Sequence, residues 1–250
     1  MASSASGLPA GFAAALDAEG RSPAPRDSAS VLVLDGSTTP WRVLMMRRPG
    51  GSDFAPGAWV FPGGSVGLDD AAQSDGARAA AVRELWEEVG LLLAWSRSGG
   101  RRRLATTADA VRVREAVDSG LGFWPALEEL GLVAAPERLV PLTRWITPSR
   151  VRRRFDTRFY AVRAPRQEVV AAAGEVSAWR WVTAAEALTG VDGELVYATR
   201  RILELVSPVP DAAALLRRLR GRAERPPVQP WIVESMGRLT VVDDAAPLFR

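Results

Sequence analysis

Arg83-Glu84-Leu85-Trp86-Glu87-Glu88-Val89-Gly90-Leu91 is the stretch that decides how the rest of this chain is read. As a helix it has two faces. Val82, Leu85, Trp86 and Val89 fall at i, i+3, i+4 and i+7 and make one apolar stripe. Glu84, Glu87 and Glu88 fall at i, i+3 and i+4 on the other side, so three carboxylates share one patch. Like charges at that spacing destabilise a bare helix, and a compensating cation is expected among them. Arg83 can reach Glu87 one turn on, but one guanidinium cannot neutralise three acids, whereas a bound divalent cation could. Gly90 can end the helix in the left-handed conformation.

Upstream, Phe61-Pro62-Gly63-Gly64 reads as a turn at a strand exit. A glycine turn followed by a helix carrying Arg-Glu-x-x-Glu-Glu-x-Gly resembles the Nudix box. That pattern is Gly, five residues, Glu, seven residues, Arg-Glu, an apolar residue, one residue, Glu-Glu, one residue, Gly and an apolar residue. Arg83 through Leu91 match it throughout. The early acid, eight residues before the Arg, falls on Asp75, which places about five inserted residues between Gly64 and that acid.

Composition narrows the chemistry. The 250 residues are 47% hydrophobic, enough for one enlarged domain with a real core. The chain has no Cys and no His, and each of its 32 basic residues is Arg. That removes thiol nucleophiles, thiolate and imidazole metal sites, Schiff-base lysines and the P-loop lysine. Carboxylates, arginines, hydroxyls and a metal remain, and carboxylate ligation favours a hard cation such as Mg²⁺ or Mn²⁺. A net charge of +3 is small and gives no reason to expect a nucleic-acid partner. No apolar run approaches membrane-spanning length, so no membrane partner is expected either.

Taken in order, residues 1–27 read as a flexible lead, with a short helix from Ala10 to Leu16. Ser28 to Leu34 is a buried strand, Asp35-Gly36-Ser37 a turn, and Trp41 to Arg48 the partner strand of a hairpin. Trp59 to Phe61 is a short strand. Ser96 to Arg103 reads as an exposed loop, and 107–118 and 123–131 as two helices inside a helical insert at about 104–135. Leu139 to Ile146, Arg154 to Arg163 and Trp179 to Val182 read as strands, with Phe155, Thr157, Phe159 and Ala161 on one face of the second. Thr183-Ala-Ala-Glu186 is a capping box opening a helix. Gly193 to Val206 and Pro210 to Arg222 read as helices of a C-terminal extension beginning at about 193, and Val228 to Val242 as a late hairpin interrupted near Gly237. Strands alternating with helices predict an α/β fold in α/β/α layers. With the resemblance this becomes a Nudix-type sandwich with a mixed sheet over 28–250, plus the helical insert and C-terminal helices.

The resemblance implies metal-dependent hydrolysis of a phosphoanhydride in a nucleoside diphosphate derivative, a small-molecule substrate. It makes Glu84, Glu87 and Glu88 the Mg²⁺ or Mn²⁺ ligands, with Arg83 orienting a ligand carboxylate. Gly63 and Gly64 let the backbone approach the site. Glu175, in the loop before Trp179 to Val182, is a candidate general base or extra ligand, as are Glu87 and Glu88 for the base. Arg47, Arg48, Arg144 and Arg154 are candidates for clamping a diphosphate, with Arg150, Arg152 and Arg153 beside them, because Arg suits bidentate phosphate contact. Trp59 and Phe155 could stack a base, against the plainer reading of both as core.

Within the superfamily, the insert and the run Trp145-Ile-Thr-Pro followed by Arg-Arg-Phe155-Asp-Thr-Arg-Phe-Tyr160 are similar to the branch whose mammalian members are peroxisomal coenzyme A diphosphatases. That branch implies coenzyme A or acyl-coenzyme A as substrate, with NADH, ADP-ribose or another nucleotide sugar as the alternative. Its signature places an Arg before Gly-x-x-x-Phe-Pro-Gly-Gly; Gly57 and Phe61 to Gly64 fit, but Asp53 stands where the Arg would be. The end of the chain, Leu-Phe-Arg, is not a peroxisomal address, and a cytoplasmic enzyme is expected. The extra hydrophobic helices would allow a homodimer. A non-catalytic nucleotide-binding module is the rival class. Gly63-Gly64-Ser65-Val66-Gly67 also fits a serine-hydrolase elbow, but a chain without His lacks its base.

Overall fold

Val31 and Val33 point to one side of the first strand and Leu32 and Leu34 to the other, and all four are buried. That period-two alternation, apolar on both faces, puts the strand in the middle of a sheet covered on both sides. The computed structural model describes residues 22–98, 101–149, 151–190, 192–222, 226–235 and 238–245. The proposed helix Ala10 to Leu16, and Gly99, Gly100, Arg150 and Gly237, lie outside them.

In chain order the elements begin with β1 (Arg26–Asp35), β2 (Arg42–Arg47), β3 (Trp59–Val60), β4 (Gly63–Ser65), α1 (Leu68–Ala71) and α2 (Gly76–Val89). They continue with β5 (Ala94–Ser98), β6 (Arg101–Leu104), α3 (Thr107–Asp118), α4 (Phe123–Glu129), β7 (Leu132–Ala134), β8 (Val140–Ile146) and β9 (Phe155–Arg163). Last come β10 (Ala178–Val182), α5 (Ala184–Thr189), α6 (Tyr197–Val206), α7 (Ala212–Arg220), β11 (Trp231–Ser235) and β12 (Arg238–Val242).

The main sheet runs β10-β2-β1-β9-β8, with β3 added to β2 and β4 to β1. β1 and β9 are parallel from Arg26↔Phe155 to Leu34↔Arg163, whereas β2, β4, β8 and β10 pair antiparallel, so the sheet is mixed as predicted. One face packs against α2, α3 and α4 through Val31, Val33, Leu44 and Met46 meeting Val82, Leu85, Trp86 and Val89. The other packs against α5, α6 and α7, where Leu32, Leu34, Val43 and Met45 meet Ile202, Leu203 and Leu215. The three layers are the α/β/α sandwich the sequence predicts. The Thr183 capping box is present: its hydroxyl accepts from the Glu186 amide, and the Glu186 carboxylate takes the Thr183 amide.

Three readings need correction. Gly63 and Gly64 do not simply turn the chain; they form β4, paired with Ser30 and Ala29 of β1. Arg26 and Asp27 already belong to β1 rather than to a flexible lead. The segment around Ser96 to Arg103 is not a loop but the hairpin β5–β6, joined by β7 into a separate sheet of order β6-β5-β7. Its arginines hid it: Arg102 lies over the Trp95 ring at 4.2 Å, so strand partners are charged residues stacked on an aromatic rather than an apolar run. The insert is therefore part sheet, with α3 and α4 as its helices. Phe155, Thr157, Phe159 and Ala161 share one face of β9 as expected, and Tyr160 and Val162 on the opposite face are buried too. Among the described residues no helix is long and apolar enough to cross a membrane.

Candidate functional site

α2 delivers the acidic patch because its apolar face is committed. Leu85, Trp86 and Val89 are buried against the sheet, which fixes the rotation of the helix and turns Glu84 and Glu88 toward β4. Gly90 ends it with φ +71°, in the left-handed region, as its position predicted. Glu88 is only 7% exposed and its Oε2 accepts the Gly63 amide at 2.7 Å. Glu84 lies against Gly64, where a Cβ would overlap its carboxyl group, and a Cβ on Gly63 would collide with Ala29 and Ser30. The two glycines are thus required by contact: β4 must pass between β1 and the carboxyls of Glu84 and Glu88.

Burial dominates the electrostatics of that pair. It pushes Glu84 up to about 7, opposed by the Arg83 guanidinium and aided by Glu87. Burial also raises Glu88 well above the usual carboxylate range, with Glu84 adding to it, while the Gly63 amide and Arg48 act the other way and Glu175 adds negative charge. Both Glu175 and Arg48 bear on the charge of Glu88, and Arg48 lines the cleft beside Gly63 and Gly64. Glu175 lies on a loop tied to the end of α2: Val170 N–H donates to Val89 O at 3.0 Å and Ala172 N–H to Glu88 O at 2.9 Å.

Glu87 faces elsewhere. Its Oε2 accepts from Arg83 Nη1 at 2.5 Å, and among the described residues no three carboxylates form a ready metal cage. Arg83 also contacts Glu84 Oε1 at 2.8 Å and donates Nη2 to Ser65 O at 3.0 Å.

The early acid is not Asp75. Asp75 is the exposed N-cap of α2, accepting from the Arg78 amide at 3.1 Å. It lines a groove of about 910 Å³ with Arg78 and Tyr160, and none of the helix glutamates lines that groove. The acid that meets Arg83 is Asp70, wholly buried at the end of α1, whose oxygens accept Arg83 Nε at 3.1 Å and Nη2 at 2.8 Å. The sequence held the signal: counting forward from Gly64, the sixth residue is Asp70, with no gap. The extra residues lie after that acid, as twelve residues separate Asp70 from Arg83 where the pattern has seven. They form the turn between α1 and α2.

The arginines divide. Arg48 lines the site and donates Nε to Phe54 O at 2.9 Å. Arg47 Nε is spent on Gly57 O at 3.0 Å. Arg144 is held by both oxygens of Asp156, at 2.7 and 2.6 Å. Arg154 is buried and donates to Thr147 O, Pro23 O and Ser22 Oγ, pinning the start of β1 to the loop before β9. Arg47, Arg144 and Arg154 thus act in the scaffold. Trp59 is core, 1% exposed, with its indole N–H on Asp192 O.

Beside β4 opens a cleft of about 380 Å³ whose walls include Gly63, Gly64, Phe54, Trp145, Phe155 and Tyr197. Phe54 and Phe155 meet edge to face at 5.5 Å, and Arg153 reaches Asp53 at 3.0 Å, so the loop after β2 and the loop before β9 touch across the cleft. The volume and the mixture of aromatic walls with few charges suit a small-molecule site.

Comparison with known proteins agrees with this geometry. Residues 24–114 match the model of the NUDIX domain. The chain is 33% identical to "Putative nudix hydrolase 7" of Caenorhabditis elegans over 156 residues, which is 62% of this chain. It spans about half the length of that curated relative, 50%. Among solved structures, a NUDIX hydrolase from Alicyclobacillus acidocaldarius superposes with a TM-score of 0.65 at 26% identity, covering 78% of this chain and 96% of that one. The fold is that of the Nudix hydrolases, and residues 24–114 are similar to the NUDIX domain.

Proposed function

We propose that this Nudix-domain chain is a divalent-metal-dependent diphosphohydrolase that cleaves the phosphoanhydride of a nucleoside diphosphate derivative, with coenzyme A or acyl-coenzyme A as substrate. The observation that carries this reading is the pair Glu84 and Glu88: a buried carboxyl and a largely shielded one, both set against the backbone of Gly63 and Gly64. Buried acids without a full complement of cations are costly, and a hard cation fits that donor set. Mg²⁺ commonly binds through one or two carboxylates, with water and substrate phosphate completing its shell, so a cage of three is not required. Glu84 and Glu88 would hold the ion, while Glu87 holds Arg83. When bound, such an ion neutralises phosphoryl charge and makes water a better nucleophile.

The remaining roles fall to this chain's own groups. Water adds across the P–O–P linkage; one phosphorus gains the hydroxyl oxygen and the other fragment leaves as a phosphate. Glu175, on the loop tied to the end of α2, would take the proton. Arg48 lies where it can meet a phosphate at the cleft wall. Phe155 and Phe54 offer rings to a nucleobase. Where the coenzyme A signature has an Arg, this chain has Asp53, and Arg153 comes to that place from across the cleft. That substitution of one guanidinium for another supports the coenzyme A reading.

The test is turnover of coenzyme A, acetyl-coenzyme A, NADH and ADP-ribose with Mg²⁺ or Mn²⁺, beside Glu88→Gln. The expected result is 4′-phosphopantetheine and 3′,5′-ADP from coenzyme A, lost in the variant. Preference for another of these compounds would overturn the substrate, and no turnover of any would overturn the enzyme.

A further inference from the structure

The unit β5–β7 with α3 and α4, called the insert here, lies outside the main sheet, yet it touches both α1 and the C-terminal turn of the acidic helix. From α4, Trp124 Nε1 donates to Asp70 Oδ1 at 3.2 Å, and Asp70 is the acid that grips Arg83. The Trp124 ring meets Phe123 edge to face at 5.0 Å, and Phe123 lies 5.1 Å from Trp86 of α2. From α3, the Arg114 guanidinium lies over the Trp86 ring at 3.9 Å and donates Nη2 to the carbonyls of Trp86, at 3.2 Å, and Glu87, at 3.0 Å.

The last four carbonyls of a helix have no partner within it. In α2 all four are taken. Trp86 O accepts from the Gly90 amide and Arg114, Glu87 O from Arg114, Glu88 O from Ala172 and Val89 O from Val170. A cation at this end also suits the helix dipole. Asp70, wholly buried, accepts the Gly67 amide and Arg83 at Oδ2, and at Oδ1 it accepts both Arg83 Nε and Trp124 Nε1, so without Trp124 the position of Oδ1 is set by Arg83 alone.

We infer that the insert is a brace for the metal-binding helix, with Trp124 a positioning residue that acts through Asp70 and Arg83 on Glu84. Arg114 sets the far end of the same helix. This rests on the proposed metal function. It assigns the insert to the ordering of the acidic helix rather than to substrate contact, so coenzyme A binding stays as it is when the brace is weakened.

The experiment is Trp124→Phe, which keeps an aromatic ring and removes the N–H, in the full chain. Mn²⁺ affinity is read by the paramagnetic signal of free Mn²⁺, and kcat and KM with the best substrate of the panel. The expected result is a loss of about tenfold in Mn²⁺ affinity and in kcat at unchanged KM, the size typical of partners that orient metal ligands. In an Asp70→Asn background the same change should have no further effect on Mn²⁺ affinity, because both act on one network. Arg114→Met, which keeps a stem over Trp86, should weaken Mn²⁺ in the same direction and guards against a Trp124 variant that does not fold. Wild-type Mn²⁺ affinity in folded Trp124→Phe and Arg114→Met overturns the brace alone. A wild-type chain that neither binds Mn²⁺ nor turns over any substrate overturns the metal reading, and the brace with it.

Discussion

Asp70 and Arg83 stand thirteen positions apart and meet as a two-point pair, carboxylate to guanidinium, with the acid wholly buried. The pair ties α1 to the middle of α2 and hands the same guanidinium on to Glu84 and Glu87. Breaking one side of such a pair leaves the other charge without its partner. Asp70→Asn is expected to lower unfolding free energy by about 3 kcal/mol and to cut turnover sharply. Asp75→Asn keeps a good N-cap and should leave both nearly unchanged. Urea unfolding and turnover of the two variants side by side check the assignment, and the reverse ranking would restore Asp75 to the box.

Metal binding should be visible as stability. A ligand at a hundredfold excess over its Kd adds about 2.7 kcal/mol, which for a chain of this size raises Tm by about 5–10 °C. Saturating Mn²⁺ should do this for the wild type and for neither Glu84→Gln nor Glu88→Gln. Without metal, those variants should melt at or above the wild type, because each removes one of two neighbouring carboxyls whose charge is disfavoured by loss of water. A full Mn²⁺ shift in both variants would place the ion elsewhere.

Gly90 does two jobs that one methyl group would undo. Its φ of +71° is in the left-handed region, and a Cβ there would press on the Val170 backbone at 3.0 Å. Gly90→Ala is expected to cost about 1–2 kcal/mol for the conformation alone. It should also displace the loop that carries Glu175, so turnover should fall more than stability requires. Activity compared at equal folded fraction is the measurement; unaffected turnover would free the loop from any role.

Acid stability should carry the signature of Asp109 at the start of α3. Burial alone would raise its pKa, but the hydrogen bond from Arg103, then the Thr106 amide and hydroxyl, bring it down to about 2. A group lowered in the folded state stabilises above its unfolded value of 3.8 and loses that contribution as pH falls toward 2. The stability gap between wild type and Asp109→Asn should therefore be full at pH 6 and shrink between about pH 4 and pH 2. A gap independent of pH would mean that the charge does no work there.

The likeness to the Nudix fold was legible in nine residues because Arg83 to Leu91 combine a helix period with a charge pattern that no ordinary surface helix favours. The hairpin of β1 and β2, the capping box at Thr183 and the C-terminal helices were legible too, since each rests on neighbours in sequence. The hairpin β5–β6 was not, because its stability comes from arginines stacked on Trp95, which reads as a polar loop. Asp70 was counted past because a spacing measured back from Arg83 crosses an insertion, whereas one measured forward from Gly64 does not.

By itself the sequence determined the acidic helix, its glycine partners and the absence of imidazole, thiol and amine chemistry. Those are matters of which residues are present and of periods within one element. Only the tertiary structure decided which acids work together. It buried Glu88 and set Glu84 against β4, turned Glu87 to Arg83, chose Asp70 over Asp75, and gave Arg47, Arg144 and Arg154 partners within the scaffold. The physical reason is that a carboxylate's partners and burial are set by segments far away in sequence. Asp70 meets Trp124 across 54 positions, and Glu88 meets Gly63 across 25.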